Sequence, residues 1–271
     1  MGLETRRTGA RDPEREWRLW RARRLRWVRE PSGPLELTGT HWVETETVVP
    51  DVAGVFVPEE GGVRVKATAS DGVEVDGSLV DGSVFLAPGD DALVDGVRLV
   101  VLVRDGVAAV RVYDALAPAR SAFEGIEVFD YDPHWVLPAS FTPYERDRVE
   151  AVDTADGARR GLALAGDVTF ELPGGRRAAL AVARAESGLS AVFSDTSGGN
   201  AGGDGPSFGF RSLALPSPDP QGHTVADFNR AYLPPCAFGT GFLCPLPPSG
   251  NTLPVKVPAG ERRVLWAEQT D

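Results

Sequence analysis

"GVEVDGSLVDGSVFLAPGDDALVDGVRLVVLVRDGVAAVRVYD", residues 72–114, is the stretch whose reading decides the fold class. Apolar and β-branched residues alternate with polar ones at a period of two, which turns one face of each run inward. Asp-Gly pairs at 71–72, 81–82, 95–96 and 105–106 punctuate the alternation. That dipeptide tolerates the positive φ angles that two-residue hairpin turns require. "GVRVKATA" (62–69) and "GDVTFELPGGRRAALAVARA" (166–185) have the same texture. The expectation is a mostly β chain, an antiparallel sandwich or barrel. The even Asp-Gly spacing resembles an internal repeat, yet hairpin chemistry alone accounts for it.

Upstream, "DPEREWRLWRARRLRWVR" (12–29) reads as one helix, with Asp12-Pro13 as its start and Glu14 and Glu16 in its first turn. Trp17, Trp20, Leu25 and Val28 fall near helical spacing, and arginines take the opposite face. Such a basic amphipathic helix could lie on a membrane surface; the favoured reading turns its tryptophans onto the protein's own core. Downstream, "SAFEGIEVFDYDPHWVLPASFTPYERD" (121–147) breaks the meander with aromatics and prolines. A boundary near residue 120 then divides a helical arm (1–32), an N-terminal β subdomain (33–120) and a C-terminal β subdomain (121–271).

Asp and Glu number 39 against 28 Lys and Arg, a formal net charge of −11. Phosphate backbones are gripped by clustered bases, so no nucleic acid is expected as a partner. No run approaches the ~20 apolar residues of a membrane span. The first thirty residues lack the apolar stretch of a secretion leader, and a cytoplasmic location with reduced thiols is expected. No cofactor is implied: a P-loop is missing, and the glycine-rich "SDTSGGNAGGDGPSFGFRS" (194–212) reads as a loop between strands.

Both cysteines lie in "AYLPPCAFGTGFLCPLPP" (231–248), symmetric about Thr240. A three-residue turn at Gly239-Thr240-Gly241 would set Phe238 against Phe242 and Cys236 against Cys244 on one face of a short hairpin. A buried reduced pair, a disulfide, and a metal or catalytic pair all fit that spacing. A metal site is not expected, because zinc would need two further ligands and the histidines stand only at 41, 134 and 223.

"HTVADFNRAY" (223–232), read as a strand, places Asp227 and Asn229 on one face and Phe228, Arg230 and Tyr232 on the other. A carboxylate and a carboxamide two apart can orient a water or hold a ligand hydroxyl; they can equally satisfy backbone groups of nearby turns. "DTSGG" (195–199) has the composition of an Asx turn, whose N–H groups could form an anion nest. Ser197 lacks the surroundings of a serine nucleophile. His223 reads as a surface turn histidine rather than a general base.

Together these motifs resemble the family called domain of unknown function 1684. "DTSG" (195–198), Arg211, "DFNRAY" (227–232), "PPCAF" (234–238), "CPLPP" (244–248), Asn251, "LPV" (253–255) and "AGE" (259–261) carry the likeness. "GPLELTGTHW" (33–42) and "FEGIEVFDYDPHW" (123–135) extend it. The resemblance implies a mostly β protein of a bacterial and archaeal family with no established activity. The chain departs from the family's usual Thr-Tyr pair and Gly-x-Gly before Arg211, carrying the longer "GNAGGDGPSFGF" (199–210) instead.

Two functions remain open. The first is a site for a small polar or anionic molecule, with a hydrolytic enzyme as one form. There Asp227 and Asn229 would be catalytic, and Asp195, Ser197, Arg211, Tyr232, Asn251 and Glu261 would bind the ligand. The second is a non-catalytic β interaction module in which the same residues are structural. An open volume beside Asp227 and Arg211 would favour the first, and complete pairing of those groups with backbone would favour the second.

Overall fold

The computed structural model describes residues 12–198 and 207–267. The first residues of the helical arm and the middle of the glycine-rich loop lie outside them. Helix α1 (Pro13–Arg29) begins as its sequence dictates: Asp12 caps it, accepting hydrogen bonds from the N–H groups of Glu14 and Arg15. Trp17 and Val28 are buried on the protein's own core, as the amphipathic pattern predicts. Among the described residues no helix is long and apolar enough to cross a membrane.

Nine short strands follow. They are β1 (Leu37–Val43), β2 (Val55–Glu59), β3 (Gly62–Ala67), β4 (Glu74–Val75), β5 (Ser78–Leu79), β6 (Gly82–Leu86), β7 (Asp91–Val94), β8 (Val97–Arg104) and β9 (Val107–Tyr113). They form a sheet ordered β1-β9-β8-β7-β4-β5 and a smaller one ordered β2-β3-β6. Asp95-Gly96 and Asp105-Gly106 both take positive φ at each residue and turn β7 into β8 and β8 into β9. The other two expected reversals differ. Gly72 caps a single 3-10 turn, and Gly82 opens β6. The hairpin between β4 and β5 turns instead on Asp76-Gly77, with φ of 51° and 73°.

After the five-residue α2 (Pro118–Ala122) come β10 (Phe123–Val128), β11 (Val136–Asp153), β12 (Arg159–Glu171), β13 (Arg177–Ala185) and β14 (Gly188–Phe193). The last three are β15 (Arg211–Leu215), β16 (His223–Asp227) and β17 (Glu261–Trp266). Six of them order as β15-β14-β13-β12-β11-β16, while β10 pairs with β17. The terminal strands β15 and β16 approach one another, so this sheet nearly closes on itself. Every pairing between these seventeen strands is antiparallel.

Two large apolar clusters result. One gathers buried residues from Val43 to Val112, the other from Trp135 to Ala259. Smaller clusters join the halves: Leu37 and Tyr113 pack with Phe210, Phe242 and Cys244, and Val28 packs with Phe123, Leu233 and Phe238.

Candidate functional site

The DFN motif is not a continuous strand. β16 ends at Asp227, and Phe228–Arg230 wind into one 3-10 turn. Phe228 causes the break. Its ring is fully buried and meets Trp135, Phe170 and Phe193 edge-on, with centroids 5.8, 5.4 and 5.4 Å away. Burying a phenylalanine is worth about 1.5–3 kcal/mol, with roughly 0.5–1.5 kcal/mol more for a well-placed aromatic partner. The strand alternation expected for residues 227–232 is therefore lost, and Arg230 comes round to the side of Asp227.

Asp227 caps the turn. Its Oδ1 accepts from the Asn229 backbone N–H and from Asn229 Nδ2, both at 3.1 Å. Asn229 is wholly buried, and its Oδ1 and Nδ2 bond the backbone N–H and C=O of Asp132 at 2.9 Å each. Its own carbonyl accepts from Trp17 Nε1 at 2.9 Å, which ties α1 to the motif. Arg230 Nε lies 3.1 Å from Asp227 Oδ2, but off the hydrogen-bond line. That buried N–H has no hydrogen-bond acceptor among the described residues. Burial pushes the Asp227 carboxyl above its ordinary pKa, outweighing the Asn229 bonds and the Arg230 charge.

Above this turn lies a cleft of about 460 Å³, walled by Trp20, Leu215, Val225, Asp227, Arg230 and Tyr232. The Arg24 guanidinium sits 4.8 Å from the Tyr232 ring centroid and 4.5 Å from that of Trp27. The sequence motifs assign neither Trp20 nor Arg230 to a site. The helix-period tryptophans were the available signal for Trp20, and the strand reading hid Arg230 on the wrong face.

Arg211 does not reach this cleft. It is 1% exposed and ion-paired with Asp195, and it donates to the carbonyls of Ala259, Val257 and Glu261. Burial pulls its pKa down from the ordinary value, opposed by Asp195 and Glu261. Asp195 forms the expected Asx turn, its Oδ1 accepting from the Ser197 N–H at 2.6 Å. Its other oxygen meets Arg211, so a carboxylate fills the place an anion would take. The Ser197 hydroxyl is buried against that of Ser207.

The other polar motif residues are also paired. Asn251 Nδ2 donates to the carbonyls of Ala181 and Val192, and its Oδ1 accepts from Ala181 N–H. The β13–β14 ladder stops at Ala183↔Ser190, so the amide bridges two strands where they part. Glu261 accepts from Arg24 and from the Leu233 N–H at 2.7 Å. His223 is exposed and paired with Asp219.

The thiols meet, but not on a hairpin. Cys236 sits in a 3-10 turn, Pro235–Ala237, and Cys244 in an extended segment whose carbonyl accepts from Ala155 N–H. Phe238 packs on Phe123 and Phe242 on the Leu37 cluster, so the two rings serve different cores. Prolines on both flanks withhold the N–H groups a ladder needs. Both cysteines are free, and both pack in one apolar cluster with Phe242. Among the described residues no group of three His, Cys, Asp or Glu side chains could hold a metal ion.

The family model described as "Protein of unknown function (DUF1684)" matches residues 121–262, just over half of the chain. No functionally curated protein matches significantly. Among solved structures, the solution NMR structure of an uncharacterized protein from gene locus rrnAC0354 of Haloarcula marismortui is similar at 30% identity. The match covers 52% of this chain and 77% of that one, with a TM-score of 0.42.

Proposed function

The chain belongs to the DUF1684 family, and from that premise we propose that it binds a small molecule in the cleft over Asp227. One observation carries the reading. Among the polar residues of the C-terminal motifs, Asp227 and Arg230 face an open volume, and Arg230 Nε is buried without an acceptor. The Arg230 guanidinium, ion-paired with Asp227 on the cleft wall, would meet a ligand oxygen, while Trp20 and Tyr232 would cover an apolar body. The fitting ligand is a small molecule with an apolar ring or chain and a carbonyl or anionic group. Asp227, held by Asn229, is the group placed to exchange a proton with ligand or water, which is what a hydrolytic step would ask of it. In this reading Asn229 is a positioning residue, and Asp195, Ser197, Arg211, Asn251 and Glu261 hold the frame.

The test is a fragment screen followed through backbone-amide and indole NMR signals. Binding fragments are expected to shift Trp20, Arg230 and Tyr232. Arg230→Met should weaken carbonyl and carboxylate fragments about tenfold, the loss of one charged hydrogen bond. Fragments indifferent to Arg230→Met and Asp227→Asn would overturn the reading. The full pairing of Arg211, Asn251 and Glu261 supports a second one, a non-catalytic β module recognising another macromolecule. That module would show no cleft binder at all.

A further inference from the structure

A second cleft, of about 350 Å³, opens between Trp27, Arg104, Arg111, Tyr113, Phe242 and Cys244. Cys244 brings a thiol to its wall, beside the hydroxyls of Ser32 and Tyr113, and two of the other walls are cations. The Arg111 guanidinium lies 5.7 Å from the Phe242 ring, and its buried Nε has no hydrogen-bond acceptor among the described residues. Behind Cys244, on the 3-10 turn, Cys236 packs against the same apolar cluster. The neighbouring Cys236 and the charges of Arg111 and Arg104 lower the Cys244 pKa against the effect of burial. Cys244 opens on the cleft while Cys236 is not on its wall, the placement of an attacking and a resolving thiol.

We propose that Cys244 and Cys236 form a hydroperoxide-reactive dithiol, with Cys244 attacking a peroxide that enters between Arg104 and Arg111. The Cys244 thiolate attacks one peroxide oxygen. The O–O bond breaks, an S–O bond forms, and the departing alkoxide or hydroxide takes up a proton. Sulfur gives up two electrons and becomes a sulfenic acid. Cys236 then loses its proton and attacks the Cys244 sulfur. The S–S bond forms as the S–O bond breaks, and the released hydroxide leaves with that proton as water. The balance is two thiols and one hydroperoxide to one disulfide, one alcohol (water when the oxidant is hydrogen peroxide) and one water. The guanidinium charges of Arg111 and Arg104 on the cleft wall are placed to meet the charge that develops on oxygen. Two thiols packed in one cluster have a short path to the ~2.05 Å S–S bond.

Reduced, desalted protein is mixed with one equivalent of hydrogen peroxide, and thiol titration and intact mass are followed with time. Both thiols should vanish with a mass loss of about 2 Da, at least about tenfold faster than free cysteine reacts at the same pH. Peptide mapping should link residues 236 and 244. In Cys236→Ser, a sulfenic-acid trap should label Cys244, and Arg111→Met should slow oxidation about tenfold. Survival of both thiols, oxidation at the free-cysteine rate, or trapping on Cys236 in Cys244→Ser without trapping on Cys244 in Cys236→Ser would each overturn the proposal. If a variant fails to fold, the wild-type rate and linkage decide alone.

Discussion

Arg211 stands on the first residue of β15 and Asp227 on the last residue of β16, the two strands that close the second six-stranded sheet. Their surroundings are opposite. Arg211 is enclosed, its charge met by Asp195 and both of its Nη groups bonded to carbonyls from the 257–261 segment. Asp227 is half-buried at the mouth of a cleft, with an arginine beside it that keeps one N–H unpaired. A buried ion that is fully bonded holds segments together, and one left partly bonded has capacity for something else. Side-chain type alone does not separate frame from site. The unfilled bonding capacity does.

The largest expected effect tests the frame. Arg211→Met leaves Asp195 buried without its counter-charge, so it should cost about 3–5 kcal/mol in urea unfolding. A loss below about 1 kcal/mol would mean that Asp195 finds solvent easily and that the enclosure is not closed. Asn251→Ala comes next. It strips partners from Ala181 N–H and from the carbonyls of Ala181 and Val192, at about 2–3 kcal/mol in the same measurement.

The cleft side predicts a smaller change with the opposite sign. Asp227→Asn keeps an acceptor for the Asn229 N–H and removes a carboxylate that burial disfavours as an ion. The raised pKa means that this group's contribution to stability is full below the unfolded Asp value, near 4. It is lost as pH rises through the folded value. The variant should therefore gain on the wild type as pH rises from about 4 toward neutrality, by up to roughly 1 kcal/mol, while cleft binding falls. Thermal midpoints measured across that range check it; a variant that loses stability at neutral pH would make Asp227 part of the frame. The smallest effect is the control: Arg18→Gln breaks an exposed i,i+4 pair with Glu14 and should change stability by no more than about 0.5 kcal/mol.

Much of this was legible in local pattern. The period-two runs became strands, Asp12-Pro13 opened the helix, and Asp95-Gly96 and Asp105-Gly106 made their turns. Each depends on residues a few positions apart, where backbone sterics and one capping bond decide. The same local logic failed for Cys236 and Cys244. Symmetry in sequence predicted a hairpin, but Phe238 and Phe242 gained more by entering separate cores than by facing each other. It failed again at Phe228, whose burial among three aromatic rings ended the strand and moved Arg230 to the cleft.

What the sequence by itself determined, then, is the β architecture, the capped helix and the family motifs, because propensity, turn chemistry and alternation act within a few residues. The tertiary structure decided which polar motif residues are consumed and which remain open. Arg211 is silenced by carbonyls 46 to 50 positions away, and the Asn229 side chain by the Asp132 backbone, 97 positions away, while Trp17 takes its carbonyl from 212 positions away. Those partners are chosen by how the sheet closes and where α1 docks, and burial, which sets the cost of an unmade bond, exists only once the distant segments have met.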